Sequence, residues 1–216
     1  MELLENKLFP KIFMWMFIGL AITFGVGCYV STNPNMVFNL FGGYTWILLV
    51  IVELILAVAL SAFITKLSPM VAKVLFCLYS FITGLTFSTI FIEYELPSII
   101  YVFGLTALVF LIFALIGYFT NIDLTKFGIY LLMALLAIVI ASIINMFLDS
   151  EVLDLSIIAI GIIVFVGYIA YDVNLIKNNF LNVQNENIAI YGAFQLYLDF
   201  INLFIKLIRL FGKERN

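Results

Sequence analysis

Asp172 and Asp199 each lie inside an otherwise apolar run, where a charged group is expensive in lipid and marks a functional position. The runs read Val-Gly-Tyr-Ile-Ala-Tyr-Asp-Val-Asn-Leu-Ile over 166–176 and Gln-Leu-Tyr-Leu-Asp-Phe-Ile-Asn-Leu-Phe over 195–204. Neither aspartate has an opposite charge beside it in the chain. On antiparallel neighbouring helices rising about 1.5 Å per residue, the two carboxyls come to similar depths and can touch. At about 4 Å and an effective dielectric near 20, two carboxylates repel by about 4 kcal/mol, about a thousandfold in proton affinity. Such a pair is expected to share one proton and lose it near neutral pH, titrating as a unit. The shared hydrogen bond then holds the two helices together, and the charged pair pushes them apart. The other reading is that each aspartate only bonds hydroxyls such as Tyr168 or Tyr197.

Glu53 is a third acid at depth, within Trp46-Ile-Leu-Leu-Val-Ile-Val-Glu53-Leu-Ile-Leu-Ala-Val-Ala-Leu. Near mid-membrane, an acid lines a water-filled path. Negatively charged oxygen ligands suit hard cations such as Ca2+. Glu53, Asp172 and Asp199, with Asn145, Asn174 and Asn202 nearby, are expected to form a weak, transient Ca2+ site, since tight binding opposes conduction. Glu53, Asp199 and Asn202 are the expected ion pathway. Histidine is absent altogether, so a pH response between about 5 and 8 has to come from carboxylates.

Composition dictates the elements that must carry these acids. The chain has 216 residues, 65% hydrophobic and 11% charged, with mean hydropathy +1.23, more apolar surface than one soluble core can bury. A helical span needs about 20 mostly apolar residues. Charges, prolines and Asn or Ser clusters divide the chain into seven such stretches: Ile12 to Val30, Tyr44 to Ile64, Val71 to Ile92, Ser98 to Phe119, Phe127 to Leu148, Ser156 to Ile176 and Ile190 to Phe211. The breaks fall at Ser31 to Asn35, Lys66 to Pro69, Glu93 to Pro97, Asn121 to Asp123, Asp149 to Glu151, and the polar run from Lys177 to Asn187. The first run is too long for a signal-peptide core and is read as a span. The expectation is an all-α membrane protein, a single seven-helix transmembrane domain over 1–216, in contact with the lipid bilayer. The net charge of -3 and the lack of a basic block set nucleic acid aside as a partner. Cys28 and Cys77 lack metal-site spacing and are read as free.

Gln195, Asp199, Asn202, Lys206 and Arg209 follow one another at helical steps and share one face of the last span. A polar seam flanked by apolar residues cannot face lipid, so the last helix is expected at the centre of the bundle. Lys206 has a stem long enough to bring its ammonium toward Asp199. Lys7, Lys11, Lys66, Lys73, Lys126 and Lys177 all fall inside if the N-terminus is cytoplasmic, and the opposite loops carry acids alone. The cluster Lys206, Arg209, Lys213 and Arg215 disagrees. Either the last span crosses against the rule or it re-enters, and both remain open here. Gly84 with Ser88, Gly161 with Gly167, and Gly25 with Gly27 are read as sites of close helix approach.

The most specific segments are Gly84-Leu-Thr-Phe-Ser-Thr-Ile, Tyr171-Asp172-Val-Asn-Leu-Ile, and Gly192-Ala-Phe-Gln-Leu-Tyr-Leu-Asp199-Phe-Ile-Asn202-Leu-Phe. Through these, and over nearly its whole length, the chain resembles the Bax inhibitor 1 family (transmembrane Bax inhibitor motif family) in its bacterial branch. The resemblance implies seven helices with the last one central. It also implies a pH-sensitive calcium leak, with Asp172 and Asp199 as the paired sensor and Glu53 matching an acid of the second helix. Many relatives carry an arginine in the second span, where this chain has Phe63-Ile64-Thr65. The alternative the resemblance implies is a regulatory protein acting on a membrane protease or a stress or cell-death pathway without conducting ions. That reading expects function to depend on termini such as Met1 to Phe9. Paired aspartates also suit intramembrane aspartyl proteases, but Leu196-Tyr197-Leu198 stands here in place of Gly-x-Gly and no Pro-Ala-Leu follows. No enzyme activity and no cofactor are expected, with Ca2+ and protons as the permeant and gating ions. Short loops without targeting extensions fit a bacterial plasma membrane, multi-pass, with a cytoplasmic N-terminus.

Overall fold

In the computed structural model, residues 2–180 and 186–215 are described. Residues 181–185, within the polar run expected between the last two spans, lie outside them, as do Met1 and Asn216. The helices are α1 (Glu2–Ser31), α2 (Pro34–Phe41), α3 (Thr45–Phe63), α4 (Pro69–Glu93), α5 (Leu96–Phe119), α6 (Gly128–Leu148), α7 (Glu151–Phe180) and α8 (Glu186–Phe211), with short 3-10 turns at Ile64–Lys66 and Leu124–Phe127. Among the described residues seven helices are long and apolar enough to cross a membrane, all but α2. The chain is a multi-pass, all-α membrane protein.

Helix starts follow local chemistry. Asn33 and Ser68 accept from the N–H groups of Met36 and Val71, and Pro34 and Pro69 occupy the first turns behind them. The Asn33-Pro34 signal starts a helix where the sequence reading has a plain connection. Its eight residues are too short to cross. Helix α7 runs beyond the expected Ser156 to Ile176 at both ends. Ser150 Oγ accepts from the Leu153 N–H, Glu151 and Asp154 sit in its first turn, and Lys177 sits in its last, all favourable to the helix dipole.

The described residues form two compact units. One comprises those of 1–95, 181–197 and 214–216, the other those of 96–180 and 198–213. In the first, α1 and α4 approach closely because Gly84 lacks a side chain: a Cβ there would lie 2.7 Å from Val26 Cβ and 2.9 Å from the Thr23 carbonyl. Phe76 and Tyr79 of α4 pack edge-on against Phe194 and Tyr197 of α8 at centroid distances of 5.1–6.4 Å. In the second unit, Gly117 of α5 lies against the backbone of Ala170 on α7. Phe103 and Phe110 of α5 close on Phe200 of α8 at 5.2 and 5.8 Å. Of the paired small residues expected to pack, Gly84, Gly27, Gly161 and Gly167 do so, whereas Gly25 faces open space.

Helix α8 is the central one: its first half packs in one unit and its second half in the other. Of its most apolar stretch 72% is buried, against 6–50% in the other six spans. The two courses left open for it are resolved by its ends within the first unit. At its start, Asn187 Nδ2 donates to the carbonyls of Ile64 and Leu67 (2.8 and 2.7 Å), and Glu186 pairs with Lys73 at 3.4 Å, all at the N-terminal end of α4. Beyond its end, the Arg215 N–H donates to the Glu93 carbonyl at 2.8 Å, at the C-terminal end of α4. The helix therefore runs the length of α4 without turning back.

Candidate functional site

Helix α7 brings Asp172 and α8 brings Asp199 into the interior of the second unit, where they are 4% and 5% exposed. Their carboxyls stand close enough to act on each other electrostatically. Asp199 Oδ2 is buried and receives no N–H or O–H from any described neighbour. Three bases of this unit are directed elsewhere. Lys177 Nζ donates to the Tyr118 carbonyl at 2.7 Å, and Arg209 grips both oxygens of Asp154 at 2.7 Å. The Lys206 stem lies over Gly161, its Cε 2.9 Å from where a Cβ would stand, rather than reaching back to Asp199. The gap left by glycine accepts the alkyl chain, and its ammonium stays toward Asp154 and Arg209. Tyr168 stands beside the pair, while Tyr197 belongs to the first unit and bonds to Thr23 Oγ1 at 2.6 Å.

Asn202 follows Asp199 on the same face of α8, half-buried, with Nδ2 donating to the Leu198 carbonyl at 2.8 Å. Two other asparagines expected near the ions have structural duties. Asn174 accepts from the Leu124 N–H at 2.9 Å and donates to the carbonyls of Gly117 and Ile122 at 3.2 and 3.3 Å, tying α7 to the turn after α5. Asn145 accepts from the Ser150 N–H at 3.0 Å and closes the turn between α6 and α7. An amide with its lone pairs and protons committed to backbone is a poor mobile ligand.

Glu53 belongs to the first unit. It stands on the side of α3 that also carries Leu56 and Leu60, 9% and 0% exposed, while Leu54, Ile55 and Val58 are 61–62% exposed. Its carboxylate accepts the Thr83 hydroxyl proton at 2.7 Å. The partner of Glu53 is thus a hydroxyl of α4, not a base. Lys66, the cation beyond Phe63-Ile64-Thr65, sits over the Phe63 ring at 5.9 Å. Sequence reasoning missed Thr83, Tyr79 and Thr23. The available signal was the row Tyr79, Ser80 and Thr83, which shares one face of α4 and is buried as a set.

Among the described residues no group of three or more Asp, Glu or Cys side chains is gathered as a metal site. Cys28 and Cys77 are both free.

Comparison with known proteins places this arrangement. A protein named inner membrane protein YbhL, from Escherichia coli, is 43% identical over 212 residues, spanning 95% of this chain and 91% of its own. A protein of Borreliella burgdorferi is 39% identical over 220 residues, 99% of this chain and 95% of its own. One of Deinococcus radiodurans is 35% identical over 210 residues, 95% of this chain and 90% of its own. The profile of the family described as inhibitor of apoptosis-promoting Bax1 matches residues 5–216. The chain therefore belongs to the Bax inhibitor 1 family.

Proposed function

We propose that the chain is a pH-sensitive calcium leak channel of the bacterial plasma membrane, gated by a proton held between Asp172 and Asp199. The observation that supports this reading is the closeness of two buried carboxyls, neither of them ion-paired to a lysine or arginine among the described residues. An ionised pair in that setting repels by about 4 kcal/mol at an effective dielectric near 20. One proton turns the repulsion into a hydrogen bond between α7 and α8. The sign follows. At low pH the protonated pair clasps the two helices and the leak is closed; as pH rises the proton leaves, the like charges separate the helices, and the leak opens.

Membership of a family with general roles in membrane ion regulation supports the same reading. Glu53, Asp199 and Asn202 are the oxygen-bearing groups proposed to draw Ca2+ along its path, with Asp172 completing a transient set of ligands. Oxygen donors suit this hard cation, and loose coordination lets it leave again. The proposed topology is a single domain over 1–216 with a cytoplasmic N-terminus, from the lysine bias of the loops. Near the C-terminal end of α8, Arg209 pairs with Asp154 at the start of α7. Such a partner offsets part of the departure from that bias.

The test is Ca2+ entry into dye-loaded proteoliposomes. Entry above that of protein-free vesicles is expected. No entry at any pH between about 5 and 8 would reject the leak and favour the regulatory role, with a membrane protease as partner.

A further inference from the structure

The first unit buries a cluster of hydroxyls that the aspartate gate does not use. Thr23 comes from α1, Tyr79, Ser80 and Thr83 from α4, and Tyr197 from α8, and all five are buried. The donor inventory orders them, because each hydroxyl has one proton to give. Thr23 gives its proton to the Ser80 carbonyl at 2.9 Å, so across the 2.6 Å contact Tyr197 is the donor and Thr23 the acceptor. Ser80 gives its own proton to the Phe76 carbonyl at 3.0 Å. Thr83 gives its proton to Glu53 at 2.7 Å, with the Tyr79 and Tyr197 hydroxyls close to it. The protons of Thr23, Tyr197, Ser80 and Thr83 thus end on a carbonyl, another hydroxyl or the Glu53 carboxylate, and the bond from Thr83 is stronger to a charged Glu53 than to a protonated one, whose carbonyl oxygen accepts more weakly.

We infer that Thr83 is the positioning residue of Glu53: its buried hydroxyl, backed by Tyr79 and Tyr197, holds the carboxyl against α4 and favours its charged form over its protonated one. The inference deepens the leak reading, in which Glu53 draws the cation, and rests on it for its consequence on flux. Two further observations converge on the same role. Glu53 shares the packed side of α3 with Leu56 and Leu60 while the residues around it are bare to lipid, so a carboxylate turned away from α4 would meet hydrocarbon. The titratable groups facing it are Tyr79 of α4 and Tyr197 of α8, and among the described residues no lysine or arginine pairs with it. Among the described residues the groups facing Glu53 are therefore hydroxyls, and Thr83 makes the one direct contact with it among the described hydrogen bonds.

Thr83→Val keeps the shape and removes the donor, Thr83→Ser keeps the donor and removes the methyl, and Glu53→Gln serves as blank. The probe is dicyclohexylcarbodiimide, an apolar reagent that attacks protonated carboxyls within lipid, and modification at Glu53 is read by mass spectrometry of the full chain in vesicles. A hydrogen bond to a charged group has a strength that makes labelling about tenfold faster in Thr83→Val, with Thr83→Ser at the native rate. Native labelling in Thr83→Val overturns the inference, and so does a fast rate in Thr83→Ser, which would assign the effect to the methyl. This readout needs no ion flux, so it decides the role of Thr83 even if the vesicles prove not to leak. In vesicles that do leak, Thr83→Val should lower Ca2+ entry toward the Glu53→Gln level, and adding it to Glu53→Gln should change nothing further. Additive losses would overturn the coupling.

Discussion

Helix α5 carries two glycines that give a direct measure of how tightly helix α7 is held. At Gly117 an added Cβ would collide with the Ala170 carbonyl oxygen and lie 2.8 Å from its Cα. Both are backbone atoms of α7 and cannot swing aside. The helices would have to separate, and overpacking of this kind costs about 1–3 kcal/mol. Separation also stretches the Asn174 bond to the Gly117 carbonyl, now 3.2 Å, worth about 1 kcal/mol. Gly117→Ala should therefore destabilise by about 2–4 kcal/mol, lowering Tm in detergent by about 4–16 °C for a chain of this size. Gly104, on the same helix, has nothing within 4 Å of an added Cβ. Gly104→Ala should be neutral or stabilising by up to about 1 kcal/mol, the ordinary helix-propensity gain. Equal Tm shifts in the two variants, measured by thermal unfolding in one detergent, would refute the packing argument. Because Asn174 lies two residues beyond Asp172, Gly117→Ala should also disturb the aspartate pair.

Other outcomes follow from the same geometry. In the Arg209–Asp154 pair one guanidinium nitrogen, Nη2, reaches both carboxylate oxygens at 2.7 Å, but the side chains are 39% and 34% exposed. Arg209→Ala should thus cost at most about 1 kcal/mol, and less in high salt, as unfolding at two ionic strengths would show. Tyr197→Phe removes the donor to buried Thr23 while Thr23 keeps its bond to the Ser80 carbonyl. A loss of about 0.5–1.5 kcal/mol is expected, and a neutral result would remove that hydroxyl from the first unit's framework. Asp123, in the turn before α6, accepts the hydroxyl and the N–H of Thr125, which hold its carboxyl below the ordinary carboxylate range. With the folded value lowered, its contribution is present above the unfolded value near 3.8 and is lost as pH falls through the folded one. Asp123→Asn should flatten the acid limb of the stability profile below about pH 4, and an unchanged limb would contradict the assignment.

The spans were legible because apolar runs of about 20 residues are separated by charges and turn residues. Asp172 and Asp199 stood out because a charge inside such a run has few reasons to be there. The small helix α2 escaped because eight residues supply about two turns of pattern, too few to separate from a loop. Thr83 escaped for a different reason. Hydroxyls in apolar helices can bond their own preceding carbonyls, as Thr106 does to Val102, and only the facing helix reveals which one reaches across. Gly25, Gly104 and Gly117 are alike in sequence, yet only Gly117 meets another backbone. Lys206 was read as leaning toward Asp199, and the course of its stem was decided by the gap at Gly161, a feature of the neighbouring helix. What the sequence leaves out in each case is the identity of the residue opposite.

The central claim is that the proton between Asp172 and Asp199 gates the leak. The most direct measurement is Ca2+ entry into proteoliposomes across about pH 5 to 8, comparing the native chain with Asp172→Asn and Asp199→Asn. An amide in place of either carboxyl keeps a hydrogen bond to its partner and cannot lose the proton in question. The account predicts native entry that rises with pH and a flat profile in both variants. A pH-dependent profile surviving in either variant would contradict it.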